Sequence, residues 1–210
     1  MTQLPREFVV SVEKELGAEG RELIVALDTP APVSVRLNPY KISEKPEGRQ
    51  VPWCRYGFML EERPVFTLDP VFHSGAYYVQ DASSMFVGHL LGQAFGECEG
   101  LKLLDLCAAP GGKTTLYSSL VGLEGLVVAN EVVRQRAQVL SDNVRKWGLG
   151  NVAVTNSDPS AFAPLEGFFD CVAVDAPCSG EGMFRKDPAS YRNVYERIIY
   201  YGHFGFLCAV

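Results

Sequence analysis

The chain has 210 residues, 47% of them apolar, enough to bury a sizeable core and to exclude disorder as the default state. A formal net charge of −6 excludes blanket attraction to nucleic acid, although a local basic patch on an acidic protein can still engage phosphates. No apolar run of about 18 residues occurs, nor a basic-then-apolar start, and the six cysteines include no C-x-x-C pair. The expectation is a soluble, cytoplasmic chain with reduced thiols and no metal site.

In chain order, "LPREFVVSVEKELG" (4–17) sets Phe8, Val9, Val12 and Leu16 at helical spacing between Pro5 and Gly17, and "ELIVAL" (22–27) suggests a second helix. "VSVRLNP" (33–39) alternates as a strand does. The stretch "YKISEKPEGRQVPWCRYG" (40–57) reads as a loop-rich segment. Lys41, Lys45, Arg49, Arg55 and Arg63 interleave there with Tyr40, Trp53 and Tyr56, a pattern of single-strand RNA surfaces; a plain solvated loop is the alternative. Residues 1–72 are therefore expected to form a small α+β RNA-binding domain.

From residue 81 helix and strand alternate. "SSMFVGHLLGQAF" (83–95) predicts a helix with serines available to cap it. Strand "LKLLDLC" (101–107), helix "TTLYSSLVG" (114–122), strand "GLVVANE" (125–131), helix "RQRAQVLSDNVRKWG" (134–148), and strands "NVAVTNSD" (151–158) and "FDCVAVDAP" (169–177) follow. Continuous apolar strands separated by helices call for a parallel sheet covered on both faces, a doubly wound α/β domain over residues 73–210.

Ligands of such sheets lie beyond the carboxyl ends of the strands, where Asp105 with "CAAPGGK" (107–113), Glu131, Asp158 and Asp175 all fall. A phosphate-binding P-loop would need glycine where Cys107 stands, which makes a nucleotide triphosphatase improbable, and no G-x-G-x-x-G is present. What remains is a turn of Cys107, Ala108, Ala109, Pro110, Gly111, Gly112 and Lys113 leading into a helix N-terminus, suited to a carboxylate. S-adenosylmethionine (SAM) carries one and has no phosphate. Glu131 can bind ribose hydroxyls or merely cap the next helix; Asp158 can reach an adenine amino group or serve as a turn aspartate before Pro159. In "VDAPCSGEGMFRKDP", Cys178 stands at a strand end near Lys and Arg, where a thiol can become nucleophilic, whereas Cys171 reads as a buried hydrophobe. Thiol addition to C6 of a pyrimidine, followed by attack of C5 on a sulfonium methyl, is chemistry that uses this set of groups.

"SVRLNP", "YYVQDASSM", "LDLCAAPGGKTT", "NE" at 130–131 and "DAPCSGEGMFRKDP" together closely resemble the Sun/Nop2-type (RsmB/RsmF-like) RNA cytosine-C5 methyltransferases, particularly the bacterial 16S rRNA members, from about Leu4 to Pro188. The resemblance implies a Rossmann-like class I SAM-dependent fold, with Cys107 to Lys113, Glu131, Asp158 and Asp175 forming the SAM site and Arg136 a further candidate. It also implies that Asp175 contacts the target cytosine, that Cys178 helps to release the product, and that the partner is rRNA or the small ribosomal subunit, engaged by a monomer. In that family the attacking thiol lies further along, in a T-C-T motif that these 210 residues do not contain, and Cys208 lacks threonine flanks. The expectation is thus a domain truncated after its fourth strand and impaired in turnover; the alternative is a catalytically incompetent RNA- or SAM-binding protein on the same scaffold.

Overall fold

The computed structural model describes residues 4–41 and 44–176. These fall into two compact units, residues 4–31 and residues 32–175. In the first, α1 (Arg6–Leu16) and α2 (Ala18–Leu27) are joined through Gly17 alone, whose φ of 58° puts it in the left-handed region. The second helix starts four residues earlier than "ELIVAL" suggests. Gly20 opens no gap in it, because a Cβ there would lie 2.5 Å from the Val12 carbonyl oxygen, so glycine is what lets the two helices touch.

The second unit holds two sheets. The smaller is antiparallel, with β1 (Val33–Leu37), β2 (Arg49–Gln50), β3 (Gly57–Leu60) and β4 (Tyr77–Val79) in the order β2-β3-β1-β4. Val33 faces Leu60 across one side of β1, and Leu37 faces Tyr77 across the other. Three strands thus arise after residue 40: β2 within the segment that reads as a loop, β3 from its last residue onward, and β4 beyond it. They are two to four residues long and are defined by pairing, β3 and β4 with distant β1 and β2 with β3, which leaves no local periodicity to detect. Val35 and Leu37 point into an apolar cluster with Phe58 and Phe66. The opposite side of β1, Ser34 and Arg36, continued by Asn38, is polar and equally buried. Between β3 and β4, Asp69 caps α3 (Pro70–His73) by accepting from the Val71 N–H at 2.8 Å.

Helix α4 (Ala82–Phe95) begins one residue before the serines, which therefore sit inside its first turn. The larger sheet follows: β5 (Lys102–Asp105), α5 (Gly112–Val121), β6 (Leu126–Asn130), α6 (Arg134–Trp147), β7 (Val152–Thr155) and β8 (Cys171–Ala173). All its strands run parallel in the order β7-β6-β5-β8. This is the Rossmann-like α/β architecture, and the order reverses between β5 and β8, the place where such sheets open a ligand crevice. The β7–β8 connection carries only a 3-10 helix (Pro159–Leu165), since Pro164 within it cannot continue an α-helix. Leu103, Val127, Ala129, Leu140, Val121 and Cys171 form the core, so Cys171 is the buried hydrophobe expected. Among the described residues no helix is long and apolar enough to cross a membrane.

Candidate functional site

The loop from Leu106 to Gly111 is tied down from several sides. Leu106 N–H donates to the Ala173 carbonyl at 2.9 Å and Ala108 N–H to that of Asn130 at 2.8 Å, pinning the loop to the ends of β8 and β6. From α6, Arg136 donates to the Ala109 carbonyl (3.1 Å) and Asn143 to that of Pro110 (2.8 Å). Gly111, with φ 109°, makes the left-handed turn that starts α5, a conformation other residues rarely adopt. A Cβ on Gly112 would stand 3.3 Å from the Tyr78 ring, so the adjacent glycines keep backbone exposed in a tight place.

The antiparallel sheet holds the same helix through Arg36, which is 1% exposed. Its guanidinium donates to Gln80 Oε1 (2.7 Å), the Gly112 carbonyl (3.1 Å) and Thr115 Oγ1 (2.6 Å), and lies 4.5 Å from the centre of the Trp147 ring. Among the described residues no carboxylate forms an ion pair with it; burial lowers its pKa to about 10, which still leaves it charged at neutral pH. Asn38 donates to the carbonyls of Trp147 (2.9 Å) and Gly75 (3.1 Å), and Lys41 to that of Lys146 (2.9 Å), closing the end of α6.

A cleft of about 190 Å³ opens at the β5/β8 reversal, lined by Cys107 to Pro110, Gly112, Lys113, Asp105 and Asp175 from the parallel sheet and by Tyr78 to Asp81 from the other. Lys113 Nζ donates to Asp175 Oδ2 at 2.5 Å across its mouth, with the aspartate side chain 46% exposed. Asp105 lies inward; its Oδ2 accepts from Thr114 Oγ1 at 2.7 Å, and burial raises its pKa to about 6. The Cys107 thiol is also pushed up, by burial first and then by the carboxylates of Glu131, Asp105 and Asp175, which keeps it protonated rather than nucleophilic.

Glu131 stands at the end of β6, 2% exposed. One oxygen accepts from the Val133 N–H at 3.0 Å, just before α6, whose N-cap residue Val133 makes no side-chain cap bond. The other, Oε2, lies 3.3 Å from Arg136 yet receives no hydrogen bond. A buried carboxylate oxygen in want of a donor at a strand end fits a ribose hydroxyl. Asn130 beside it knits three strand ends together, donating to the carbonyls of Leu106 and Ser157 and accepting from Thr155 Oγ1. Asp158 is exposed, and its Oδ1 caps the 3-10 helix by accepting from the Ser160 N–H (2.9 Å) and hydroxyl (2.6 Å), the turn role that its proline neighbour suggests. Gly111, Glu131 and Asp158 are not among the residues lining the cleft, while Cys107 to Pro110, Gly112, Lys113 and Asp175 are. Cys178 and Cys208 lie outside the described residues. No cluster of metal-ligating side chains occurs among the described residues.

Sequence reasoning missed Arg36, Tyr78 and Gln80. A signal was present: "SVRLN" and "YYVQ" place polar residues at every second position of apolar strands, which marks a polar face but not that the face is buried.

The family described as 16S rRNA methyltransferase RsmB/F matches residues 95–202, and that described as the N-terminal domain of 16S rRNA methyltransferase RsmF matches residues 4–82. Ribosomal RNA small subunit methyltransferase F of Pectobacterium atrosepticum is 38% identical over 204 residues, which are 89% of this chain and 42% of that protein. That of Vibrio cholerae is 37% identical, over 90% of this chain and 43% of its own length. The chain thus spans less than half the length of these relatives. Among solved structures, a methyltransferase homologue from Pyrococcus horikoshii superposes with a TM-score of 0.73 at 28% identity, covering 89% of this chain and 63% of that one. NSun6 of the same organism shares the fold, with a TM-score of 0.68 at 17% identity, over 83% and 71%. Matched by the family over residues 95–202 and by relatives of this identity, the chain belongs to the RsmB/F family of 16S rRNA methyltransferases.

Proposed function

We propose that the protein methylates C5 of a cytosine in RNA, 16S rRNA in particular, with SAM as donor. The observation that carries this reading is the Lys113–Asp175 pair at the mouth of a cleft floored by the glycine loop, in a chain of this family. SAM supplies an electrophilic methyl group on its sulfonium. The backbone from Cys107 to Lys113 would hold its amino-acid end, Glu131 Oε2, which lacks a hydrogen bond, would take a ribose hydroxyl, and Asp158 would meet the adenine amino group with the oxygen that does not cap. Residues 1–72 serve as the RNA-binding domain and residues 73–210 as the methyltransferase domain, in a cytoplasmic monomer that needs no metal.

Cytosine C5 is a poor nucleophile. A thiolate adding to C6 while N3 is held or protonated would make C5 reactive toward the methyl, after which a base takes the C5 proton and the thiolate departs; the family resemblance assigns that thiolate to a T-C-T cysteine that is not among these 210 residues. Asp175, steadied by Lys113, contacts the cytosine, and Cys178 assists release of the product. Cys107 is unsuited to the attack because its thiol stays protonated.

Incubation with methyl-labelled SAM and 16S rRNA, followed by nucleoside analysis, tests this. Label in 5-methylcytidine, lost in Asp175→Asn, supports it. Label on another base or on ribose would sink the C5 assignment, and SAM binding without transfer would leave a binding protein on the same scaffold.

A further inference from the structure

A second cavity, of about 300 Å³, lies beside β3 and α4, apart from the cofactor cleft. Trp53, Arg55 and Tyr56 form its wall from the β2–β3 connection; His89 of α4, Leu116 of α5 and Arg36 complete it. None of the described residues lining it is Asp or Glu. The aromatic wall is fixed in advance. Trp53 Nε1 donates to the Ala82 carbonyl at 2.7 Å, and its ring meets Phe86 edge-on with centroids 5.7 Å apart. Arg55 stacks its guanidinium 5.5 Å from the Tyr56 ring, which is 37% exposed. Phe86, also exposed, extends the aromatic surface.

Arg36 spends its donors on Gln80, Gly112 and Thr115, so Arg55 is the lining cation left to meet a phosphate, and the aromatic rings favour a planar ligand. A volume near the lower limit of ligand pockets, about 300 Å³, suits one nucleoside better than a folded element. We propose that this cavity receives one unpaired nucleobase of the RNA substrate, distinct from the base to be methylated. Single-stranded RNA is recognised in this way, by stacking of splayed bases on aromatic side chains and guanidinium planes while basic groups meet the backbone. The inference rests on the RNA-substrate reading above and adds a position at which that RNA is held.

The test compares the affinity of the full chain for a ten-nucleotide oligocytidylate with that for an abasic oligomer of equal length and charge. The expected result is binding at least about tenfold tighter for the base-bearing oligomer, with Trp53 emission quenched on binding. Tyr56→Ala is expected to remove most of that preference, and His89→Trp, which narrows the cavity from an exposed helical position, to weaken it; both should leave SAM affinity unchanged. Equal binding of the two oligomers, or a preference untouched by both variants, overturns the inference while leaving RNA as the substrate. Failure of the wild-type chain to bind either oligomer or rRNA overturns the RNA-substrate reading and the inference with it. Acrylamide that fails to quench Trp53 in the RNA-free chain would mean that another part of the chain fills the cavity, and likewise overturns the inference.

Discussion

The two sheets of the larger unit use polar residues in opposite ways. In the parallel sheet they gather at the strand ends: Asp105, Asn130, Glu131 and Asp175 stand where β5, β6 and β8 stop, and the strands between are apolar. In the antiparallel sheet they lie along a face. Ser34 and Arg36 of β1, then Asn38 and Gln80, are buried against the start of α5 and the end of α6, while the other face carries Val35, Leu37 and Phe58. The first arrangement leaves acceptors for a ligand, as Glu131 Oε2 illustrates; the second satisfies its groups internally and so acts as a clamp. The division teaches that the small sheet is part of the candidate site's support, because the glycine loop's helix is held by a residue of β1.

Removing the clamp is expected to have the largest effect. Arg36→Met leaves Gln80 Oε1 without a donor, removes the buried bonds to Thr115 Oγ1 and the Gly112 carbonyl, and should cost about 3–5 kcal/mol in urea unfolding. Adding Gln80→Leu should restore part of that; if the single variant unfolds like wild type, the clamp is not what holds α5. Next comes Asp105 at the parallel sheet's end. Its carboxyl titrates near pH 6 when folded, against 3.8 for the ordinary group. The raised value favours the folded state fully only below about pH 3.8, and that contribution is lost as pH rises to about 6, roughly 3 kcal/mol in all. Asp105→Asn, which keeps an acceptor for Thr114, should abolish this slope in melts taken from pH 4 to 7. A slope that survives would place the titration elsewhere.

Smaller effects separate the ligand-facing groups from the structural ones. Glu131→Gln is expected to weaken SAM about tenfold in calorimetry, with little change in melting temperature, since its free oxygen is assigned to the ligand. Asp158→Ala should lower the melting temperature slightly through loss of its cap. Asp158→Asn, which can still cap, should keep stability and weaken SAM only a few-fold; unchanged SAM affinity in Asp158→Asn would reduce this residue to its turn role.

These contrasts also explain what the sequence discloses. The parallel half is legible because its strands are apolar runs, the first three separated by helices of ordinary length, and because Gly111 stands where the left-handed turn suits glycine. The antiparallel half is not. Two-residue β2 has no period to read, and the alternation of β1 looks like that of a half-exposed strand, although Arg36 is more deeply buried than most leucines. Local pattern records which side chains share a face but not what covers the face. For the same reason Glu131 and Asp158 look alike at strand ends, whereas the first keeps a buried oxygen without a donor and the second spends one on Ser160 at the surface.

The ties from Asn38 to Trp147 span 109 residues, and those from Arg36 to Gly112 and Thr115 span 76 and 79. During synthesis β1 emerges long before α5 and α6 exist, so its polar face must wait in water for partners that the ribosome has yet to make. Docking of that face is therefore a late step, paced by closure of long loops rather than by local helix formation. It also makes the two sheets poor candidates for separate exchange: a graft of the parallel half alone would inherit a glycine loop whose first helical turn has lost the guanidinium that holds it.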